Sequence, residues 1–491
     1  MLGGRRFWWF IIGLFLVQAA WIALSGRYPM AFDEDFHLGI IRLYAHHLSP
    51  FWSNQPENAD MFGAVARDPS YLYQYLMSFP YRLISLFTSN PTATVLILRG
   101  ISIGFFTTGL VLFRKLLLKA GVSRAIAHLS LLIFVLLPVT PLLAAQINYD
   151  NLLLPLVALT LLLVVRLNQM LEQKRLYLPD LAKLLTLCLL TSLVKYAFLP
   201  IFLAVVVFLT VRLWQKRHII KWRSGTVTSW TSMSRYSQAG LLAALIVAAG
   251  LFYQRVGINF IRYHSPVPDC SKVLSVEQCG EYGPWIRDYN FELNKVPGAH
   301  TPITFTQEWF YGMWLRTFFA VSGLATDFES HGPLLLPSIA AIVFAAGGVL
   351  ALVLTVKQLL RRYQAPTLWL FATVSLTYLA FIWVDEYSAY LHTGQPVAIN
   401  GRYLVPVLPL IILLLTLAAH WLTRHWRKLQ LSLVIICIVC LAWGGGALTF
   451  ILRSNDAWDW PNSTVRAAND GVRKTLGPIT PGFSQPSIFL H

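Results

Sequence analysis

Residues 7–40 read FWWFIIGLFLVQAAWIALSGRYPMAFDEDFHLGI, an uncharged apolar run followed closely by three consecutive carboxylates, Asp33, Glu34 and Asp35. The run is long enough to cross a bilayer, which takes about 20 apolar residues. It follows the basic start MLGGRR, as a signal peptide would, but exceeds the roughly 7–15 residues of a signal core. No small-residue cleavage site follows it, so it reads as a retained first helix. Acid this dense at a membrane boundary is costly, and ionisable groups near spans usually mark a site. The plainer alternative is a solvated loop that ends the helix.

The rest of the chain extends the pattern. It is 56% hydrophobic and 12% charged, against roughly 25% charged in soluble domains, which makes it a polytopic, all-α membrane protein. Apolar runs near 7–25, 94–113, 125–146, 151–166, 181–196, 198–214, 238–254, 333–356, 366–384, 403–423 and 431–452 give about eleven transmembrane helices within a domain over 1–452. One set of alternating loops gathers the cations, among them Arg5, Arg6, Arg114, Arg212, Lys221, Arg223, Arg362 and Lys428, against only Glu172 and Asp180. The positive-inside rule makes these loops cytoplasmic, with the N-terminus inside and the C-terminus outside a plasma membrane. Topology thus explains the net charge of +17 and excludes the need for a nucleic-acid partner. Five cysteines are too few for a disulfide scaffold. Cys188, Cys437 and Cys440 read as packing residues, while Cys270 and Cys279 share one loop and can pair if it lies outside the cell.

Every acid cluster then faces away from the cytoplasm. The first outer loop, 26–93, is expected to carry juxtamembrane helices: LGIIRLYAHHL suits the membrane surface, and ARDPSYLYQYLMSFPYRLISLF places many tyrosines at headgroup level. QINYDN puts Asp150 between two spans, and Lys195 stands where two others meet. A second large outer loop, 255–332, holds the cysteines, DEYSAYLHTGQPVAINGRY carries Asp385, Glu386 and Arg402, and the tail 453–491 reads as irregular.

These groups fit one chemistry. A carboxylate can take a proton from an attacking hydroxyl, while cations at a bilayer surface neutralise a phosphate leaving group, Arg doing so bidentately. Arg67, Lys195, Arg255, Arg262 and Arg402 are the cations on the acidic side. Each residue also has a structural reading. Asp150 can cap a helix, Lys195 can snorkel, Arg402 can flank its span, and Asp385 with Glu386 can be a solvated turn. Arg99, inside its span, faces other helices or snorkels outward.

Four stretches, FDEDFHLG, DPSYLYQYL, INYDNLLLP and LLTSLVKYAF, occur in an order that resembles the GT-C superfamily of membrane glycosyltransferases. That superfamily includes protein mannosyltransferases and lipid A aminoarabinose transferases. The later NGRYLVPVLPLI resembles the GRYLLPLLP signature of bacterial membrane proteins usually placed beside it. The likeness covers most of residues 1–200 and 400–410. It implies a GT-C-like bundle whose catalytic base is Asp33, with Glu34 as its neighbour and Asp150 as a second acid that orients donor or acceptor. Lys195 and Arg402 become phosphate or sugar contacts. A third acid, Asp35, and His37 depart from the usual pattern. They leave the identity of the base open and admit a divalent cation as cofactor.

The expectation is therefore an inverting glycosyltransferase of the outer face. It would move a sugar from a polyprenyl-phosphate donor to a glycan, lipid or protein acceptor. A secondary transporter or lipid-linked-glycan flippase is the main alternative, though it predicts ionisable groups at the bilayer midplane and paired halves. A non-catalytic scaffold is the third.

Overall fold

The computed structural model describes residues 2–30, 33–218, 228–295, 301–318, 335–363, 365–444, 446–453 and 462–479. Lys221 and Arg223, together with parts of the loop 255–332 and of the C-terminal tail, lie outside the described residues. The chain is about 80% helical and has no strand among the described residues. The first half comprises α1 (Arg5–Ser25), α2 (Glu34–Ala45), α3 (Leu72–Ser85), α4 (Pro91–Lys119), α5 (Arg124–Leu136), α6 (Val139–Ala144), α7 (Asp150–Glu172), α8 (Leu178–Val194) and α9 (Leu199–Lys216).

Among the described residues, eight helical stretches are long and apolar enough to cross a bilayer: Arg5–Ser25, Pro91–Lys119, Asp150–Glu172, Tyr196–Lys216, Arg235–Tyr263, Ile342–Arg362, Ala365–Thr393 and Arg427–Leu448. Three other expected spans are covered by shorter helices. The run 125–146 breaks before Pro138, because proline pushes the residue before it out of the α region; Leu137 is extended at ψ 129°. The run 181–196 becomes the 17-residue α8. The run 403–423 opens on a 3₁₀ turn, Gly401–Leu404, before the 16-residue helix Leu408–Thr423. The tail also differs from expectation. Ser463–Leu476 is a helix, capped where the Asn462 Oδ1 accepts from the Thr464 and Val465 amides at 3.0 and 3.2 Å.

The bundle is held by apolar side chains on facing helices. Phe15 of α1 stacks on Phe106 of α4 at 5.2 Å, and Phe106 on Phe134 of α5 at 6.0 Å. The axes of α4 and α7 approach closely where Gly109 meets Leu154 and Pro155; a Cβ there would stand 2.8 Å from the Leu154 side chain. Small residues at such crossings are the usual means of tight packing in lipid.

Charges sort to the two ends of this bundle. At one end Arg114 donates to His128 (2.9 Å), whose other ring nitrogen contacts the Leu2 carbonyl (2.7 Å). Here the two acids of the basic loops are both engaged, Asp180 by Arg166 at 2.8 Å and Glu172 by Lys216 at 2.7 Å and by Arg212. At the other end stand Asp33, Asp150, Lys195 and Arg402.

Candidate active site

The chain leaves α1 and turns into α2 through Asp33, which adopts the left-handed conformation (φ 65°, ψ 34°). Asp tolerates this region better than most residues. The turn separates the three acids. Asp33 does not cap α2 with its side chain; its Oδ2 accepts from Arg402 at 2.5 Å, and 52% of its side chain remains accessible. Glu34 turns inward and is fully buried. Asp35 is exposed on the first turn of α2, where a negative charge suits the helix dipole.

Glu34 is a structural joint and is closed to substrate. Arg99 grips both its oxygens, Nε to Oε1 at 2.8 Å and Nη2 to Oε2 at 2.7 Å. The Met30 and Ile147 amides add bonds at 2.8 and 3.2 Å. The same guanidinium donates to the Ala23 and Gly26 carbonyls at 2.8 and 2.6 Å. One buried pair thus ties the end of α1, the start of α2, α4 and the loop before α7. Arg99 faces other helices, as one of its two sequence readings held.

Asp150 begins α7 and is buried. Its amide donates to the Asn148 side chain at 2.9 Å, and both carboxylate oxygens accept from Lys195 Nζ at 2.8 and 3.0 Å. Lys195 lies in the extended link between α8 and α9 and is buried rather than snorkelled. Burial lowers its pKa, against the raising pull of Asp150, and the nearby Arg402 charge adds to the lowering.

These two ion pairs share a wall. The Tyr403 ring centroid lies 5.0 Å from Lys195 Nζ and 5.1 Å from the Arg402 guanidinium carbon, and the Tyr149 ring 4.5 Å from Lys195. Asp33 and Asp150, 117 positions apart in sequence, therefore belong to one cluster with two cations and two aromatic rings between them. Burial raises the Asp33 pKa, and the Arg402 charge and hydrogen bond outweigh that, holding it below its usual 3.8.

His37 closes the base of the cluster. It is buried, with its ring 4.4 Å from that of Tyr149, and its Nδ1 is 3.1 Å from the Gln74 side-chain amide. Turning that amide lets its NH₂ donate to the Ser70 and Tyr71 carbonyls while its oxygen accepts from His37 Nδ1. Burial, together with the Arg402 and Lys195 charges and against Asp33, lowers the His37 pKa to about 3, so the ring is neutral at physiological pH. Among the described residues no three of His, Cys, Asp and Glu come together to ligate an ion.

The remaining cations lie elsewhere. Arg255 is fully buried and braces the segment between α1 and α4, donating to the Ala66 carbonyl and to that of Pro50 at 3.2 Å, with its guanidinium 4.7 Å from the Tyr71 ring. It is committed to backbone carbonyls and not to the cluster. Arg67 is partly buried beside it, and burial with the charges of Arg255 and Arg262 lowers its pKa; Arg262 is exposed at the end of its helix. Glu386 is no solvated turn: it is buried within Ala365–Thr393 and accepts from Trp309 Nε1. Tyr149 and Tyr403 were missed in the sequence although each adjoins a flagged residue, because nothing local shows two rings meeting one lysine.

Arg402 depends on close backbone packing. Gly401 lies against Thr317, whose amide nitrogen would be 2.4 Å from an added Cβ. Gly401→Ala is therefore expected to push the 401–404 turn away and cost about 1–3 kcal/mol, read as a lower thermal midpoint in detergent.

Below this end a cavity of about 1110 Å³ runs between α5 and the helices of the C-terminal half. Its wall is almost wholly apolar and at this end includes Trp309, Trp383 and Leu404, the last two residues beyond Arg402. Cys270 and Cys279 form a disulfide in the loop at the same end. No protein-family model and no curated protein sequence matches the chain.

Proposed function

We propose that the protein is a membrane glycosyltransferase with a GT-C-like bundle, acting on the non-cytoplasmic face with a polyprenyl-phosphate sugar as donor. The observation that carries this reading is the meeting of an accessible carboxylate, Asp33, with the buried cations Arg402 and Lys195 in one cluster. Asp33 takes the proton of the acceptor hydroxyl. The acceptor oxygen attacks the anomeric carbon opposite the phosphate, that carbon's bond to the phosphate oxygen breaks, and the configuration inverts. The leaving phosphate takes the electron pair, and Arg402 and Lys195 offset its charge. Asp150 acts through Lys195, holding the ammonium by both oxygens. The apolar cavity beside Leu404 supplies a place for the prenyl tail. The Cys270–Cys279 bond suits an oxidising, outer compartment.

The depth of the cavity also favours a lipid flippase as a second reading. The two separate in proteoliposomes carrying a labelled polyprenyl-phosphate sugar. A transferase yields a product of inverted anomeric configuration; lipid translocation without any sugar transfer replaces the reading.

Because Arg402 holds Asp33 below the usual carboxylate value, the base is ionised throughout the neutral range. The rate of transfer is expected to stay level through neutral pH and to fall only below about pH 4. In Arg402→Met the burial that raises Asp33 loses its strongest opposing charge, so the acid limb moves to higher pH. A pH–rate profile in which the limb stays in place removes Asp33 as the titrating base.

A further inference from the structure

The same cavity continues to the opposite, basic end of the bundle, where its wall includes Ser123, His420, Arg427 and Gln430. We propose that this far mouth is the headgroup site of an anionic phospholipid whose acyl chains fill the adjoining part of the cavity. The proposal does not rest on the transferase reading, whose prenyl tail is assigned only to the Leu404 end of the cavity.

Charge complementarity identifies the occupant. No Asp or Glu occurs between 330 and 384 or between 387 and 455, whereas Lys357, Arg361, Arg362, Arg424, Arg427 and Lys428 all fall there. Arg424 and Arg362 stand over the Trp421 ring at 3.6 and 5.6 Å, and Arg362 lies within electrostatic reach of His420. The His420 ring meets Gln430 at 2.5 Å, so these two polar groups of the wall lie side by side at the mouth. Around them Leu422, Leu431 and Val434 line the cavity. A phosphodiester of net negative charge answers these cations, and its chains answer the aliphatic wall. A zwitterionic lipid brings its own ammonium against the same arginines.

The test uses the full chain purified in detergent, titrated with phosphatidylglycerol or phosphatidylcholine and read by native mass spectrometry. The wild type is expected to retain one phosphatidylglycerol in preference to phosphatidylcholine. Arg427→Gln should weaken it about five-fold, the worth of one cation at an anionic headgroup. Arg427→Lys should keep most of the binding. Gln430→Glu, which sets a like charge in the mouth and leaves Arg427 intact, should expel the lipid even if Arg427→Gln folds poorly. Arg217→Gln, a cation of the same end outside the cavity wall, should change nothing. Equal retention of both lipids, an equal loss in Arg217→Gln, or no retained lipid in the wild type overturns the proposal.

Discussion

Replacing Asp33 by Asn is expected to slow sugar transfer by about 10²–10⁴-fold, the usual contribution of a general base, while leaving the protein folded. Asn is nearly isosteric with Asp, and the side chain at this position is 52% accessible, so little packing depends on it. The charge pairing with buried Arg402 is lost, but the Asn side-chain oxygen can still accept from the guanidinium, so Arg402 keeps a hydrogen-bonding partner there. Transfer should fail through kcat, with donor retention almost unchanged, since the Asp150–Lys195 pair and the cavity lie beyond the substitution. Full activity in Asp33→Asn would return the base to Asp35, the remaining exposed acid of the three. Glu34 cannot take its place, because Arg99 and two backbone amides occupy its oxygens.

Arg99→Met is expected to destabilise the protein by about 3–5 kcal/mol, the cost of leaving one member of a buried ion pair without its partner. Both side chains are wholly buried, and the loss also frees the Ala23 and Gly26 carbonyls. The double substitution Arg99→Met with Glu34→Met should recover part of that loss, because no lone charge is then buried. Denaturant or thermal unfolding in detergent reads both. If the double variant is no more stable than Arg99→Met alone, the Arg99 contacts to the α1 carbonyls, and not the ion pair, hold this end of the bundle. Together the two predictions divide the acid triplet: Asp33 should alter rate without stability, and the Glu34–Arg99 pair stability before rate.

Hydropathy and the bias of Lys and Arg among alternating loops were enough to establish a helical membrane protein with its cations at one end, since both depend only on composition along the chain. The loop 26–93 could likewise be read as carrying helices, and α2 and α3 are there. Helix number was less legible. Local backbone geometry at Leu137 and the turn at Gly401–Leu404 shorten segments that hydropathy alone extends.

At the site, the sequence by itself determined which residue types were present: a carboxylate triplet after the first span, an acid opening α7, a lysine between two spans and an arginine before another. Only the tertiary structure decided their partners. Asp33, Glu34 and Asp35 are adjacent in the chain, yet the left-handed turn at Asp33 gives one to Arg402, one to Arg99 and one to the surface. Arg255 and Arg402 both stand near span ends in the sequence, but one is bound to backbone carbonyls and the other to Asp33. The physical reason is that an ionised side chain taken out of water must find a counter-charge or a hydrogen-bonding partner within a few ångströms. Which group lies at that distance is set by how distant helices pack, and no local pattern encodes it.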